Sequence, residues 1–333
     1  MILAGDAGGT KTLLALYDEG TSPRRPRLEG RRASREAPSL EALVLDFLAA
    51  SGAQRPRRAV FGLAAPVVAN RGETTNLPWV VSGDALSAAL GGAEVVLLND
   101  LEAAGRGIAT LGEGDLEYLQ RGERAGGNRA LISAGTGLGE SILVWARERH
   151  RPVASEGGHS DWAPNDALED ELLAWLRARY GHVSAERVLS GHGLADLYRF
   201  LSATGRGAEP KEMAEGFAAA SDPAAFVTEA ALDGACERAL LALRKWVEVY
   251  GAEAGNLALT GLAIGGVFVG GGIAPRILDV VRDGRFVRAF NAKGRLEPLL
   301  RRMPVAVLLD ARTVLWGAAT LALESEGGRG VVE

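Results

Sequence analysis

Three times along this chain a short apolar run is delivered into clustered glycines, and this recurrence limits the possible folds more than any other feature of the sequence. The first run, I-L-A-G-D-A-G-G-T-K-T, places Asp6 at the end of a strand and Gly8, Gly9 and Thr10 in the turn that follows. The second, A-L-I-S-A-G-T-G-L-G, has Gly135 and Thr136 in its turn; the third, V-F-V-G-G-G-I, has Gly271 in the middle of a glycine triplet. Glycine in regular structure costs roughly 0.5–1 kcal/mol relative to alanine, so its repeated use at strand ends calls for a reason. Backbone N–H groups approaching a phosphate would be one, and a flat adenosine lying on exposed backbone another. A plain tight hairpin explains either of the first two turns equally well. Neither turn is a P-loop, since no G-x-x-x-x-G-K-[ST] occurs, and the second leads into a strand-like segment instead of the helix of a dinucleotide site.

Around these turns, strand-like and helix-like segments alternate. Strands are predicted over 2–5, 13–17, 28–37, 59–65 and 94–98, and again over 130–134, 141–146, 267–269 and 305–309. Helices are predicted from Ser39 to about residue 50, over 166–180, 191–201 and 314–323, and as one long helix over 223–251 capped by Asp222. A glycine-rich turn thus joins two strands in each half of the chain, as if each half supplied one phosphate-facing hairpin. With 333 residues the chain exceeds what a single core comfortably organises, so two lobes of α/β type are expected.

Bulk composition narrows the partners. A formal net charge of −5 argues against binding nucleic acid or an anionic membrane by bulk attraction. Arg24, Arg25, Arg27, Arg31, Arg32 and Arg35 form a local exception, but no aromatics interleave with them, and a solvated loop or edge strand explains them as well as a nucleic-acid patch. Cys236 is the only cysteine, which excludes an intrachain disulfide and a multi-cysteine zinc cluster. There is no basic, apolar leader at the start and no apolar run of about 20 residues. The expectation is a cytoplasmic protein acting on a small molecule.

Three further segments carry polar chemistry. Asn99 and Asp100 follow the apolar V-V-L-L, which puts them at the carboxyl end of a strand, where open α/β sheets bind ligands. Asp100 there can accept a proton, or simply cap the helix starting at Leu101. E-G-G-H sets Glu156 and His159 around two glycines. Glu186, in H-V-S-A-E-R-V-L-S-G, is either a ligand group or a solvated carboxylate favoured by a helix N-terminus. No H-E-x-x-H or His/Cys cluster supports zinc at His159.

Taken in order, D-A-G-G-T at 6–10, L-N-D at 98–100, A-G-T-G-L-G at 134–139, E-G-G-H at 156–159, H-V-S-A-E-R-V-L-S-G at 182–191 and F-V-G-G-G-I at 268–273 resemble the bacterial glucokinase family of the hexokinase and actin superfamily. The resemblance covers nearly the whole chain. It implies a two-lobed hexokinase/actin-like (ribonuclease H-like) α/β fold, with a small α/β domain of residues 1–109 plus 311–333 and a larger α+β domain of residues 110–310. It also implies ATP-dependent phosphorylation of D-glucose to glucose 6-phosphate, the two substrates meeting in a cleft.

In that family's terms Asn99, Asp100, Glu156, His159 and Glu186 would ring the sugar, with Asp100 as general base. Asp6, Gly8, Gly9, Thr10, Gly135 and Thr136 would face phosphate and Mg2+, Asp6 through water, and Gly271 would face the adenosine. A homodimer is implied as well. Lys11 stands where some members carry Asn, and the cysteine-rich zinc motif of related repressor-type kinases is absent. A kinase for another hexose or an amino sugar, or a non-catalytic sugar sensor, remain the alternative readings.

Overall fold

The computed structural model describes residues 1–74, 76–123 and 125–324. The chain divides into two compact units. One comprises Met1–Asp115, Ala146–Ala154 and the chain from Asp310 onward, the other Leu116–Trp145 and Ser155–Leu309.

The first unit is organised by a five-stranded sheet. Strands β1 (Ile2–Ala7) and β2 (Lys11–Tyr17) form an antiparallel hairpin, and β3 (Leu28–Ala33) pairs with β2 at the sheet edge. On the other side β4 (Arg58–Leu63) runs parallel to β1. A small sheet of β5 (Val67–Val68), β6 (Arg71–Glu73) and β7 (Val80–Ser82) intervenes in the chain, and β8 (Glu94–Asn99) then pairs parallel with β4.

Side chains alternate across a strand with a period of two, and here both faces are buried. Leu3, Leu14 and Phe61 pack with Leu43, Val44 and Phe47 of helix α1 (Leu40–Ser51). Ile2, Ala4, Val60 and Leu98 pack with Leu315, Ala318 and Ala322 of the C-terminal helix Thr313–Leu323. That is why these strands read as near-continuous apolar runs. Ser39 caps α1 by accepting from Ala42 N–H at 3.2 Å, and Gly52, at φ +61°, ends it. Helix α2 (Gly83–Ala89) precedes β8, and α3 (Asp100–Gly107) follows it directly.

The second unit repeats the plan. After β9 (Leu116–Gln120), β10 (Arg129–Ala134) and β11 (Leu138–Ala146) form an antiparallel hairpin. The chain then passes through β12 (Arg149–Val153), which belongs to the first unit. Later β13 (Val267–Gly270) lies parallel to β10, β14 (Val305–Leu308) lies parallel to β13, and β9 is antiparallel to β14. Both units therefore have a hairpin whose first strand borders two successive parallel strands, so the hairpin turn and the carboxyl ends of those strands share one edge. Helices α4 (Ala167–Tyr180), α5 (Ala185–Val188), α6 (Gly191–Ala203), α7 (Lys211–Ala219), α8 (Pro223–Leu232) and α9 (Glu237–Gly261) follow. Trp246, Val247 and Tyr250 of α9 are fully buried in this unit's core.

Several expectations from the sequence need revision. The long helix over 223–251 is two helices, broken where Gly234 takes φ +67°, and the second runs on to Gly261. The strand over 28–37 ends at Ala33 and gives way to a 3-10 turn at Ser34–Glu36. The arginine-rich stretch forms the edge strand and its approach. Arg24 stacks on Trp316 at 4.4 Å and pairs with Asp115, Arg27 pairs with Asp18, and Arg32 pairs with Asp46. Charge along an exposed edge discourages pairing with another chain.

Candidate active site

In the first unit the register brings the candidate residues to one edge. Asp6 pairs with Gly62, which pairs with Leu98, and one step on Ala7, Leu63 and Asn99 are aligned. Asp6, the Gly8–Thr10 turn, Asn99 and Asp100 therefore all lie at the carboxyl ends of β1, β4 and β8. Asn99 caps α3: its Oδ1 accepts from Leu101 N–H at 2.9 Å, while its amide donates to Ala65 O at 3.1 Å. Asp100 is the first residue of α3 and also accepts from Leu101 N–H, at 2.9 Å. The capping expected of Asp100 is thus shared with Asn99.

Asp6 is electrostatically strained. Burial, and then the negative charge of Asp100, push its carboxyl up to about 7, with Lys11 partly offsetting them. Two acidic groups held this close at a strand edge favour a bound cation or a proton.

Sequence reasoning missed Ser34. Its fully buried hydroxyl donates to Gly8 O at 2.7 Å and lies 2.9 Å from the Thr12 hydroxyl, and its N–H donates to Thr10 O at 3.1 Å. It fixes the glycine turn from 26 residues away, beyond the reach of any local motif.

In the second unit Gly135 N–H donates to Gly137 O at 2.8 Å, and Gly191 N–H donates to Gly135 O at 3.0 Å, which leaves Thr136 exposed at the tip. Ser184 caps α5, and Glu186 in that first turn accepts from Leu138 N–H at 3.0 Å. A purely solvated role for Glu186 is therefore not what the fold uses. His159 Nδ1 lies 3.9 Å from Glu186 Oε1, and its Nε2 lies 3.9 Å from Glu156 Oε2. Glu156, His159, Glu186 and the Gly135–Gly137 turn form one polar group, with Glu156 and His159 exposed. Gly271 follows β13 with φ +86°, and a Cβ there would run into Ala134 O, so only glycine fits.

Two hairpins of one topology, each opening a glycine-rich turn beside carboxylates, define an α/β phosphotransferase of the hexokinase/actin-like fold. A glucokinase from an Antarctic psychrotroph has this fold, with a TM-score of 0.83 and 29% identity over 97% of this chain and 99% of its own. The family model described as Glucokinase matches residues 3–325. Glucokinases of Nostoc sp. and Synechocystis sp. are 38% and 40% identical to it, each alignment covering 97% of this chain and 98% of the relative. The chain belongs to the glucokinase family.

Proposed function

We propose that this protein transfers the γ-phosphoryl group of ATP to the 6-hydroxyl of D-glucose, with Asp100 as general base. The observation that carries this reading is the carboxylate pair at the strand edge, where Asp100 lies near enough to raise Asp6 while standing beside a glycine turn.

A hexose presents hydroxyls that both donate and accept, which suits a set made of the Asn99 amide, the carboxylates of Asp100, Glu156 and Glu186, and the His159 imidazole. Polar partners that each hydrogen-bond a particular hydroxyl discriminate against sugars lacking it. Phosphoryl transfer passes through a loose transition state in which positioning and charge stabilisation dominate. Asp100 orients the 6-hydroxyl and takes its proton late, so it needs no unusual basicity. Gly8, Gly9, Thr10, Gly135 and Thr136 supply N–H and hydroxyl donors to the phosphates, and Gly271 leaves room for the adenosine.

The Asp6 carboxyl fits Mg2+. It is a hard oxygen ligand whose charge is disfavoured without a cation, and Mg2+ ordinarily takes only one or two carboxylates beside phosphate and water. When bound, the ion would neutralise charge on the phosphates. Its ligand here would be Asp6, through water.

Measuring ADP release over glucose, mannose, galactose and N-acetylglucosamine tests the assignment. Glucose is expected to give the highest kcat/KM. Faster turnover of an amino sugar, or no sugar-dependent release, overturns it.

The same reading makes the protein a cytoplasmic homodimer that works without nucleic acid or membrane. Among the described residues no helix is long and apolar enough to cross a membrane. Sedimentation should give roughly twice the 34.9 kDa chain mass, and a monomer at micromolar concentration would refute the dimer.

A further inference from the structure

Glu140 has no part in the site described above, yet it is a carboxyl only 5% exposed inside the second unit. It lies in β11, opposite Ile132 of β10, and no N–H or hydroxyl donor reaches its Oε1. Its Oε2 sits 2.6 Å from where a Cβ on Gly157 would be, with Ser155 Oγ 3.1 Å from the same point. Gly157 lies between Glu156 and His159 in the turn assigned to the sugar. On its other side Glu140 hydrogen-bonds with Glu253 of α9.

Glu253 is tied in turn to further polar side chains. Glu253 also accepts from Asn256 Nδ2 at 2.9 Å, and Asn256 Oδ1 accepts from Lys293 Nζ at 2.6 Å. Tyr250, one turn earlier on α9, takes the Ala134 N–H at 3.1 Å and lies 3.3 Å from Ile132 O. The titratable groups around Glu140 are therefore Glu253 and Tyr250 from α9, Lys293 across Glu253, and Glu156 and His159 on the turn, with Glu186 beyond His159. Two carboxyls in contact, one of them buried, cannot both ionise without repulsion, so a proton shared between them is favoured.

We infer that Glu140, bridged by a shared proton to Glu253, is a positioning residue that sets the Glu156–His159 turn for sugar binding and releases it when that proton is lost. The inference rests on the glucokinase reading above. Burial, and then the charge of Glu253, push the Glu140 carboxyl up to about 8. Below that value Glu140 donates its proton to Glu253 and the turn rests on a neutral group. Above it the charges of Glu140 and Glu253 repel, and because Glu140 Oε2 already lies against Gly157, a shift of the carboxylate bears on the turn.

The sign for stability follows from the same proton. The unfolded carboxyl releases it near 4.5 and the folded one near 8. Stability therefore falls as pH rises across that window, with the full loss in place above about 8.

Glu140→Gln keeps the shape and a donor to Glu253 while removing the titration. KM for glucose and kcat are to be measured from pH 6.5 to 9.5 on the parent and on this variant, with Tm at each pH as the check on folding. In the parent, KM is expected to rise about tenfold between pH 7 and 9.5 with kcat much less affected, as when one charge-assisted hydrogen bond to a hydroxyl is weakened. In Glu140→Gln, KM should match the parent at pH 7 and stay flat, with Tm above the parent's at pH 9. Equal pH dependence in the two proteins overturns the inference, and so does a flat KM in the parent. Glu140→Leu should raise KM at every pH; parent-like values there also overturn it. Absence of hexose phosphorylation by the parent at pH 7 would instead sink the assignment of function.

Discussion

Asp100→Asn is expected to lower kcat for glucose by about 10²–10⁴-fold, the usual contribution of a general base, while KM changes much less. The amide keeps the shape of the side chain and its hydrogen bonding but cannot take the 6-hydroxyl proton. The helix should survive, because Leu101 N–H is also held by Asn99 Oδ1 at 2.9 Å and the new amide oxygen can replace the lost one. Stability is expected within about 1 kcal/mol of the parent, read by urea denaturation. A pure helix-capping role predicts nearly normal turnover. If the folded variant turned over glucose within about threefold of the parent, Glu156 would have to be considered as the base instead.

Asp6→Asn should separate activity from stability. Loss of a charged group that orients the phosphate end of the reaction costs on the order of 10²–10³ in kcat. Stability should move the other way. The folded Asp6 carboxyl titrates at about 7 and an unfolded one near 3.8, so the parent loses stability as pH rises from about 4 to about 7 and stays at the lower level above that. That interval corresponds to about 4 kcal/mol before solvent screening, and because Asp6 is not fully removed from water roughly half of it is expected to be felt. Asn does not titrate, so the variant should be more stable than the parent at pH 8, with a Tm several degrees higher, and similar to it near pH 4. A variant that is both inactive and less stable at pH 8 would mean that Asp6 holds the fold and not a cation.

Local motifs made much of the candidate site legible. Strand, glycine turn and strand at Asp6–Thr12, and again at Ser133–Gly139, need no long-range information, because turn geometry and period-two apolar runs are written in neighbouring residues. The placement of Asn99 and Asp100 at a strand end was equally readable from the apolar run before them. Ser34 was not, since a lone serine behind an arginine-rich stretch carries no signal that its hydroxyl will reach Gly8 O. Glu140 was hidden for a related reason. In G-L-G-E-S-I-L it reads as an ordinary polar residue on an alternating strand, and only the packing of α9 against β10 and β11 turns it inward.

What the sequence determined by itself was the family, the α/β class and the identity of the polar groups, all carried by order and spacing along the chain. Tertiary structure alone decided the electrostatics. Asp6 is raised by burial and then by Asp100, 94 positions on, and Glu140 by burial and then by Glu253, 113 positions on. Such shifts come from burial and from charges brought within a few ångströms by folding, and both depend on distance through space, for which separation along the chain is no guide.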